Sequence, residues 1–348
     1  MPELAPDRLH DLGRRVFEAA GAPADVADHV AGHLVASNLA GHDSHGVLRI
    51  PWYLGHVRRG WLRPAARPRV VEERPAAALV SGEWGFGHPA ATVAIDAAAE
   101  RARRHGLGAA ALVRGTHIGR LGTYVERAAA GGLVAMVWLG GLGAQRAAVP
   151  HGASRGIYGT NPMAAAFPAG GGDPLLLDFA TTAVAGGKVM VARDKGVPLP
   201  EGVVLDRDGR PTTDPAEALD GGWLLPFGAH KGYALAFFAQ LLGQALTGAD
   251  ALAGETDEDS PFARAGAFFI AIDPGLFRHA SDAAASAAGF AAAVRELPAA
   301  SGFERVLAPG DPEAHARRER ARAISLPEET WRQIAAAAGS VGVAVAAD

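Results

Sequence analysis

Apolar residues in the first sixty positions recur at helical spacing. Leu9, Leu12, Val16 and Phe17 fall on one face of a helix running from Leu9 to Ala20. Pro23, at a first-turn position, opens a second helix that runs to Gly41 as its stop, and a third runs from Val47 to Arg59 and ends at Gly60. Beyond a link rich in Pro and Arg, 63–69, the apolar runs shorten and alternate with helical stretches. Strands are predicted at Val70-Val71, Ala77–Val80, Gly108–Val113 and Leu133–Leu139, with helices at Ala90–Arg104 and Leu121–Ala130 between them. Further along lie a strand at Leu175–Leu177, a helix at Gly232–Leu246, a strand at Phe268–Ile272, an Ala-rich helix at Ala283–Arg295 and helices over 312–338. Strands alternating with helices predict an α/β fold. There is no internal repeat, and 170–172 and 249–260 read as loops.

Length and charge narrow the class. At 348 residues the chain is long enough for one large domain or two interlocked ones. A net charge of −4 with no Lys/Arg run gives nothing for a nucleic-acid backbone, so no nucleic-acid partner is expected. The absence of cysteine removes disulfides, thiolate metal sites and cysteine nucleophiles. No apolar run reaches the ~18 residues of a membrane span, the N-terminal residues lack signal-peptide blocks, and the cytoplasm is the default location. Only Lys188, Lys195 and Lys231 are lysines among 33 basic residues, and Asn38 and Asn161 are the two asparagines. In a chain so biased towards Arg and Ala, these residues draw attention, because Arg cannot copy a compact ammonium nor Ala an amide.

The strongest chemical signal is Gly41-His42-Asp43-Ser44-His45-Gly46 followed by Val47-Leu48-Arg49. If a helix begins at Gly46, His45 sits at its mouth and Arg49 projects from the same face. A 2-hydroxy or 2-oxo acid needs such a pair, a guanidinium fork for the carboxylate and an imidazole for the hydroxyl proton. The competing reading is a polar loop in which Asp43 or Ser44 caps the helix. Gly85-Phe86-Gly87-His88-Pro89-Ala90 matches a dinucleotide glycine fingerprint, but Trp84 and Pro89 crowd it and the following strand ends in Arg114 rather than an acid. Gly140-Gly141-Leu142-Gly143 is an equally good place for phosphate to meet bare backbone N–H groups. His117, at a strand-to-helix transition, Thr160 and Asn161 in Tyr158–Pro162, Asp178 at the end of an apolar strand, Gly186-Gly187-Lys188, and His230-Lys231-Gly232 opening an apolar helix are further candidates. His29 and His33 stand i, i+4 with His42 and His45 downstream. No glutamate interleaves them, and no metal site is predicted.

Together these residues resemble the malate/L-lactate dehydrogenase superfamily that is distinct from the Rossmann-type lactate dehydrogenases. The resemblance rests on Gly41–Tyr53, His117–Ala130, Tyr158–Pro168, Leu175–Lys188, Gly196–Pro215, His230–Leu241 and Ala308-Pro309-Gly310. The wording at His117–Gly122 and His230–Leu235 is closest to the hydroxycarboxylate dehydrogenase B branch. Two stretches depart from the family: Asp311 stands where Glu is common, and Ala267 where His is common.

The resemblance implies a non-Rossmann NAD(P)-binding α/β fold. In it a central mixed sheet, 73–304, is inserted between N- and C-terminal helices, 1–72 and 305–348, that pack together, and dimers form the active cleft. It implies a 2-hydroxy or 2-oxo acid as substrate, NAD or NADP as cofactor, and a homodimer; a cyclic imino acid reductase or a ureidoglycolate- or sulfolactate-type dehydrogenase is the alternative. His45 would be the acid/base, Ser44 its hydrogen-bonding neighbour, His117 a second catalytic histidine and Arg49 the carboxylate receptor. Thr160, Asn161 and Lys188 would complete the substrate contacts. The cofactor would run past Gly140, Gly141, Asp178, Phe179, Ala180, Lys231, Gly232 and Gly310, which leaves the Gly85 turn a structural role.

Overall fold

A computed structural model describes residues 2–141 and 147–345. The chain opens with β1 (Glu3–Leu4), α1 (Pro6–Ala19), α2 (Ala24–Leu39) and α3 (Ile50–Arg58). Next come β2 (Arg69–Glu73), β3 (Ala77–Ser81), α4 (Gly87–His105), β4 (Leu107–Val113), α5 (Gly122–Ala130) and β5 (Val134–Gly140). They are followed by β6 (Met163–Phe167), β7 (Leu175–Phe179), α6 (Gly186–Lys195), β8 (Val204–Leu205), β9 (Pro211–Thr212), α7 (Pro215–Leu219) and β10 (Trp223–Leu224). α8 (His230–Gln240), β11 (Gly266–Ile272), α9 (Ala280–Arg295), α10 (Asp311–Arg320), β12 (Ile324–Ser325) and α11 (Glu328–Ser340) complete the chain. No single helix among the described residues is long and apolar enough to cross a membrane.

The central sheet has seven strands in the order β2-β3-β4-β11-β5-β6-β7, mixed because only β3 and β4 run parallel. That single parallel pair excludes the parallel doubly wound sheet of a Rossmann fold. Its core is built largely from alanine. Ala90, Ala91, Ala94, Ala97, Ala98 and Ala102 bury one face of α4 against the sheet. Small side chains let the helix approach so closely that a Cβ at Gly108 of β4 would overlap the Ala98 carbonyl oxygen. The same close approach joins β5 to α8, where a Cβ on Gly140 would stand 2.5 Å from the Ala239 carbonyl oxygen. Beyond Gln240 the helix widens into a π-turn over Leu241–Ala245, inside the stretch read from sequence as one regular helix.

The terminal helices share a second core of Leu9, Val16, Phe17, Val30, Leu34, Ile50, Tyr53, Ile324 and Ile334, with β1 pairing antiparallel to β12. N- and C-terminal segments therefore pack together as expected. The sheet begins at Arg69, so a boundary at 72 cuts through β2. A third, smaller core of Tyr158, Val189, Leu199, Val204 and Leu224 gathers α6 and the small β10-β8-β9 sheet. Sequence reading did not anticipate this unit, since its strands are two residues each, nor β6, whose Met-Ala-Ala-Ala-Phe run has weak strand preference and is held by pairing on both edges.

Packing at the two glycines predicts opposite outcomes. Gly108→Ala must force α4 off the sheet and is expected to cost roughly 1–3 kcal/mol. Gly289→Ala, in exposed α9 with open space around it, is expected to stabilise by up to about 1 kcal/mol. Urea midpoints of the two variants against the parent check both signs.

Candidate active site

His45 and Arg49 do not share a regular helix. Each closes a short 3₁₀ turn, Asp43–His45 and Val47–Arg49, with an extended Gly46 between them, and α-helix resumes only at Ile50 ahead of Pro51. The expectation of a helix starting at Gly46 fails because Asn38 intervenes. Its buried carboxamide accepts from the Val47 N–H at 2.9 Å and donates to Asp43 at 2.6 Å, pinning both turns to α2. A Cβ on Gly46 would overlap that carboxamide, so glycine is required here. Arg320 of α10 ties the loop down from outside, donating to the Asn38 carbonyl and to Asp43, both at 2.7 Å.

Arg49 is nonetheless folded back onto the loop that carries His45. Arg49 Nε donates to the Ser44 carbonyl at 2.7 Å, and the guanidinium lies 5.1 Å from the centre of the Trp52 ring. Both Nη groups are left for a ligand, and among the described residues no carboxylate pairs with Arg49. Ser44 Oγ lies 3.1 Å from His45 Nδ1. The rings of His45 and His117 stack nearly parallel, 5.7 Å apart at 6°.

Behind them lies a run of buried aromatic and imidazole groups that sequence reading missed. Tyr53 OH contacts His117 Nδ1 at 2.7 Å and His88 Nε2 at 3.1 Å, and the His88 ring packs on His33 at 4.6 Å. The signal for them was present: Tyr53 follows the His45–Arg49 loop on the inward face of α3, and His88 belongs to the glycine fingerprint. A Cβ on Gly87 would stand 2.5 Å from the His117 carbonyl oxygen, so that fingerprint is a close-packing turn supporting the His117 loop.

Burial, reinforced by Arg49, pushes His45 down to about 3, and the same two causes, in the same order, hold His117 well below the usual histidine range. Burial also raises Tyr53 well above the ordinary phenol value, so the phenol keeps its proton. The site at neutral pH is thus one guanidinium cation among neutral rings. His29, in the i, i+4 pair with His33, contacts Thr92 Oγ1 at 3.0 Å, and His33 accepts the Arg120 N–H at 3.1 Å.

The other expected residues divide into wall and scaffold. Thr181 donates its N–H and Oγ–H to the Thr160 carbonyl, and the Phe227 N–H donates to the Thr181 carbonyl, which joins β6, β7 and the approach to α8 into one wall. Phe179 meets Phe227 edge to face at 5.4 Å on that wall, with Ala180 beside it. Lys188, exposed on the first turn of α6, follows Gly187, where a Cβ would lie 3.6 Å from Ser44 Cβ. Lys231 is exposed on the first turn of α8, while Gly232 packs on the Phe227 backbone too closely for a Cβ.

Three of the expected ligand groups are occupied by the protein itself. Asp178 accepts from the Gly122 N–H at 2.7 Å and caps α5. Asn161, at φ +37°, donates to the Ala236 carbonyl and Gln240 Oε1, fastening α8. The Gly141 N–H, expected to be bare for phosphate, donates to Gln240 Oε1 at 3.0 Å, and Gly140 is a close-packing residue of β5; Leu142 and Gly143 lie outside the described residues. Gly310 opens α10 beneath the start of β7, where the Leu176 N–H donates to Pro309, so it stands at the far end of that strand from Phe179.

The model of the malate/L-lactate dehydrogenase family matches residues 4–335. Hydroxycarboxylate dehydrogenase B of Escherichia coli (strain K12) is 40% identical over 339 residues, covering 96% of this chain and 93% of its own length. The Δ1-pyrroline-2-carboxylate/Δ1-piperideine-2-carboxylate reductase of Pseudomonas syringae pv. tomato is 40% identical over 241 residues, 69% of each chain. The sulfolactate dehydrogenase structure from Methanocaldococcus jannaschii superposes with a TM-score of 0.88 at 31% identity, covering 99% of this chain and 98% of that one. With a family model spanning nearly the whole sequence and a fold shared end to end, this chain belongs to the malate/L-lactate dehydrogenase family.

Proposed function

We propose that the protein interconverts a 2-hydroxy acid and its 2-oxo acid, with Arg49 receiving the carboxylate, His45 carrying the proton and NAD or NADP as hydride partner. Family membership makes it an NAD(P)-dependent hydroxy acid dehydrogenase. One observation carries the assignment of roles: a guanidinium with no carboxylate partner among the described residues stands beside two stacked neutral imidazoles. A half-buried cation without a counter-ion is costly, and an anionic ligand with a second polar atom nearby relieves that cost. When bound, the nicotinamide takes hydride from, or gives it to, the substrate C2.

The protein's own work is orientation and proton transfer. Two Nη donors of Arg49 grip the carboxylate in two-point fashion and fix where C2 and its oxygen fall. In oxidation, neutral His45 takes the hydroxyl proton. In reduction, the anion seated on Arg49 offsets the guanidinium's share of what holds His45 low, burial being the larger share, and the ring takes a proton from solvent and delivers it to the C2 oxygen.

Lys231 on the first turn of α8 and the Phe179–Phe227 ring pair offer what the cofactor needs, a cation for its phosphates and an apolar face for its ring. Alongside α8, a cleft of about 870 Å³ lined by Tyr158, Tyr233, Phe237 and Gln240 holds the buried Tyr158 hydroxyl, which has no partner among the described residues, and these groups fit a dinucleotide. The same grip on a carboxylate serves a cyclic imino acid, the chemistry named for the Pseudomonas syringae relative. A spectrophotometric scan of 2-oxo and cyclic imino acids with NADH and NADPH separates the two.

The working form is a homodimer. Phe238 on α8 is 62% exposed and Phe290 on α9 72% exposed, apolar side chains that a second copy would cover, while Phe237 of α8 and Leu241 of its π-turn, on a neighbouring stripe, line the cleft. Light scattering is expected to give twice the chain mass, and Phe238→Lys with Phe290→Lys a mass close to that of one chain; a parent of single-chain mass contradicts the dimer.

Since the histidine is already neutral in the free site, kcat/KM for hydroxy acid oxidation is expected to stay level from pH 8 down to about 5. For 2-oxo acid reduction it is expected to rise about tenfold per unit as pH falls over the same range, because the proton must be gained. An oxidation profile that drops below pH 6.5 would assign the proton to a group of ordinary pKa. His45→Asn is expected to lower kcat about 10²-fold or more with cofactor affinity retained. Arg49→Lys is expected to lower kcat/KM for the acid about 10- to 150-fold and to erase most of the preference for the acid over its amide; an unchanged acid-to-amide ratio places the carboxylate elsewhere.

A further inference from the structure

We propose that Tyr53 and His88 form a positioning pair that locks His117 in the Nε2–H tautomer, making it a fixed hydrogen-bond donor to the substrate C2 oxygen rather than a second base. This rests on the reading of the stacked His45–His117 pair as the active site.

A single phenol serves two rings here. Tyr53 OH lies 2.7 Å from His117 Nδ1 and 3.1 Å from His88 Nε2, and a phenol has one proton to give. Both imidazoles and the phenol are neutral, so one ring accepts the phenolic proton and the other donates an N–H to the phenolic oxygen. Two arrangements satisfy this. In the first, Tyr53 donates to His117 and His88 Nε2–H donates to Tyr53. In the second, both directions reverse.

Three features select the first. An O–H donor makes the shorter contact and an N–H donor the longer one, which matches 2.7 Å to His117 and 3.1 Å to His88. His88 Nδ1 is buried with no hydrogen-bond partner among the described residues. The reversed arrangement would put a proton on that atom, and orphaned buried N–H groups are rarer than under-satisfied acceptors. The neighbouring His33, packed on His88 at 4.6 Å, offers no relief, because its Nε2 already accepts the Arg120 N–H at 3.1 Å.

With Nδ1 of His117 occupied by the phenolic proton, its ring proton sits on Nε2. His45 is set the opposite way. Its 3.1 Å contact with Ser44 Oγ has the length of an N–H donating to oxygen, which puts the proton on Nδ1 and leaves Nε2 bare. The stacked rings thus present one acceptor and one donor, a base and a hydrogen bond for the same substrate oxygen. Neither Tyr53 nor His88 touches substrate in this scheme; both act through His117.

Long-range ¹H–¹⁵N correlation spectra of the histidine-labelled enzyme, with the His117 signals assigned by their loss in His117→Asn, read the tautomer directly. The parent is expected to show Nε2–H at His117, and Tyr53→Phe a mixture or a shift to Nδ1–H, with kcat for 2-oxo acid reduction down about tenfold and KM little changed. His117 found as Nδ1–H in the parent overturns the assignment, whatever happens in the variants. Retention of pure Nε2–H in folded Tyr53→Phe overturns the role of the phenol. Should His117→Asn instead turn over at the parent rate, the reading of the site itself has failed, independently of the tautomer.

Discussion

An uncompensated guanidinium held against neutral imidazoles is the constraint around which this protein is arranged. Arg49 gives one N–H to the Ser44 carbonyl and its face to Trp52, but finds no carboxylate among the described residues. Keeping such a cation ready requires that nothing nearby carry opposite charge and that the rings beside it stay unprotonated. Burial of His45, His117 and His88 meets the second condition. Acidic groups close to the loop have other partners: Asp43 is held by Arg320, Glu126 by Arg120 and Arg317, and Glu313 contacts the His42 ring.

Two cores meet at this point, and each supplies part of the site. The helical core contributes Asn38, the two short turns and Tyr53; the sheet contributes His117 and, through α4, His88. Phe86 inserts from the sheet side into the helical core, 5.2 Å from Phe17 and 6.0 Å from Tyr53, fixing the spacing of the halves. A displacement of either half would break the Tyr53–His117 contact, so the inserted arrangement of the fold and the geometry of the site are one requirement. Alanine in place of larger side chains along α4 serves the same end, since it lets the helix that carries His88 sit hard against the sheet.

Much of this was legible in the residues themselves. The helical periodicity of the first sixty positions and the alternation that followed predicted an α/β fold, the family resemblance implied that the two termini join, and His45 and Arg49 marked the loop that carries the two short turns. The two asparagines, singled out by their scarcity, are both buried and hydrogen-bonded, whereas the three lysines are all exposed. What could not be read was three-dimensional coincidence. Nothing local says that an amide on α2 interrupts a helix nine residues later, or that Tyr53 and His88, 35 residues apart, share one hydroxyl. The glycines are ambiguous for a related reason: Gly87, Gly140 and Gly141 stand where backbone comes close to backbone, a demand that produces the same sequence pattern as a phosphate cradle.

The central claim is that His45 is neutral until a carboxylate reaches Arg49, and it is tested by counting protons. Calorimetric titration of a non-reacting 2-oxo acid analogue into the enzyme with reduced cofactor, repeated at pH 7 in buffers of different ionisation enthalpy, gives the number taken up on binding. The account predicts uptake approaching one proton in the parent and close to none in His45→Asn. Binding without proton uptake in the parent, or equal uptake in both proteins, would contradict it.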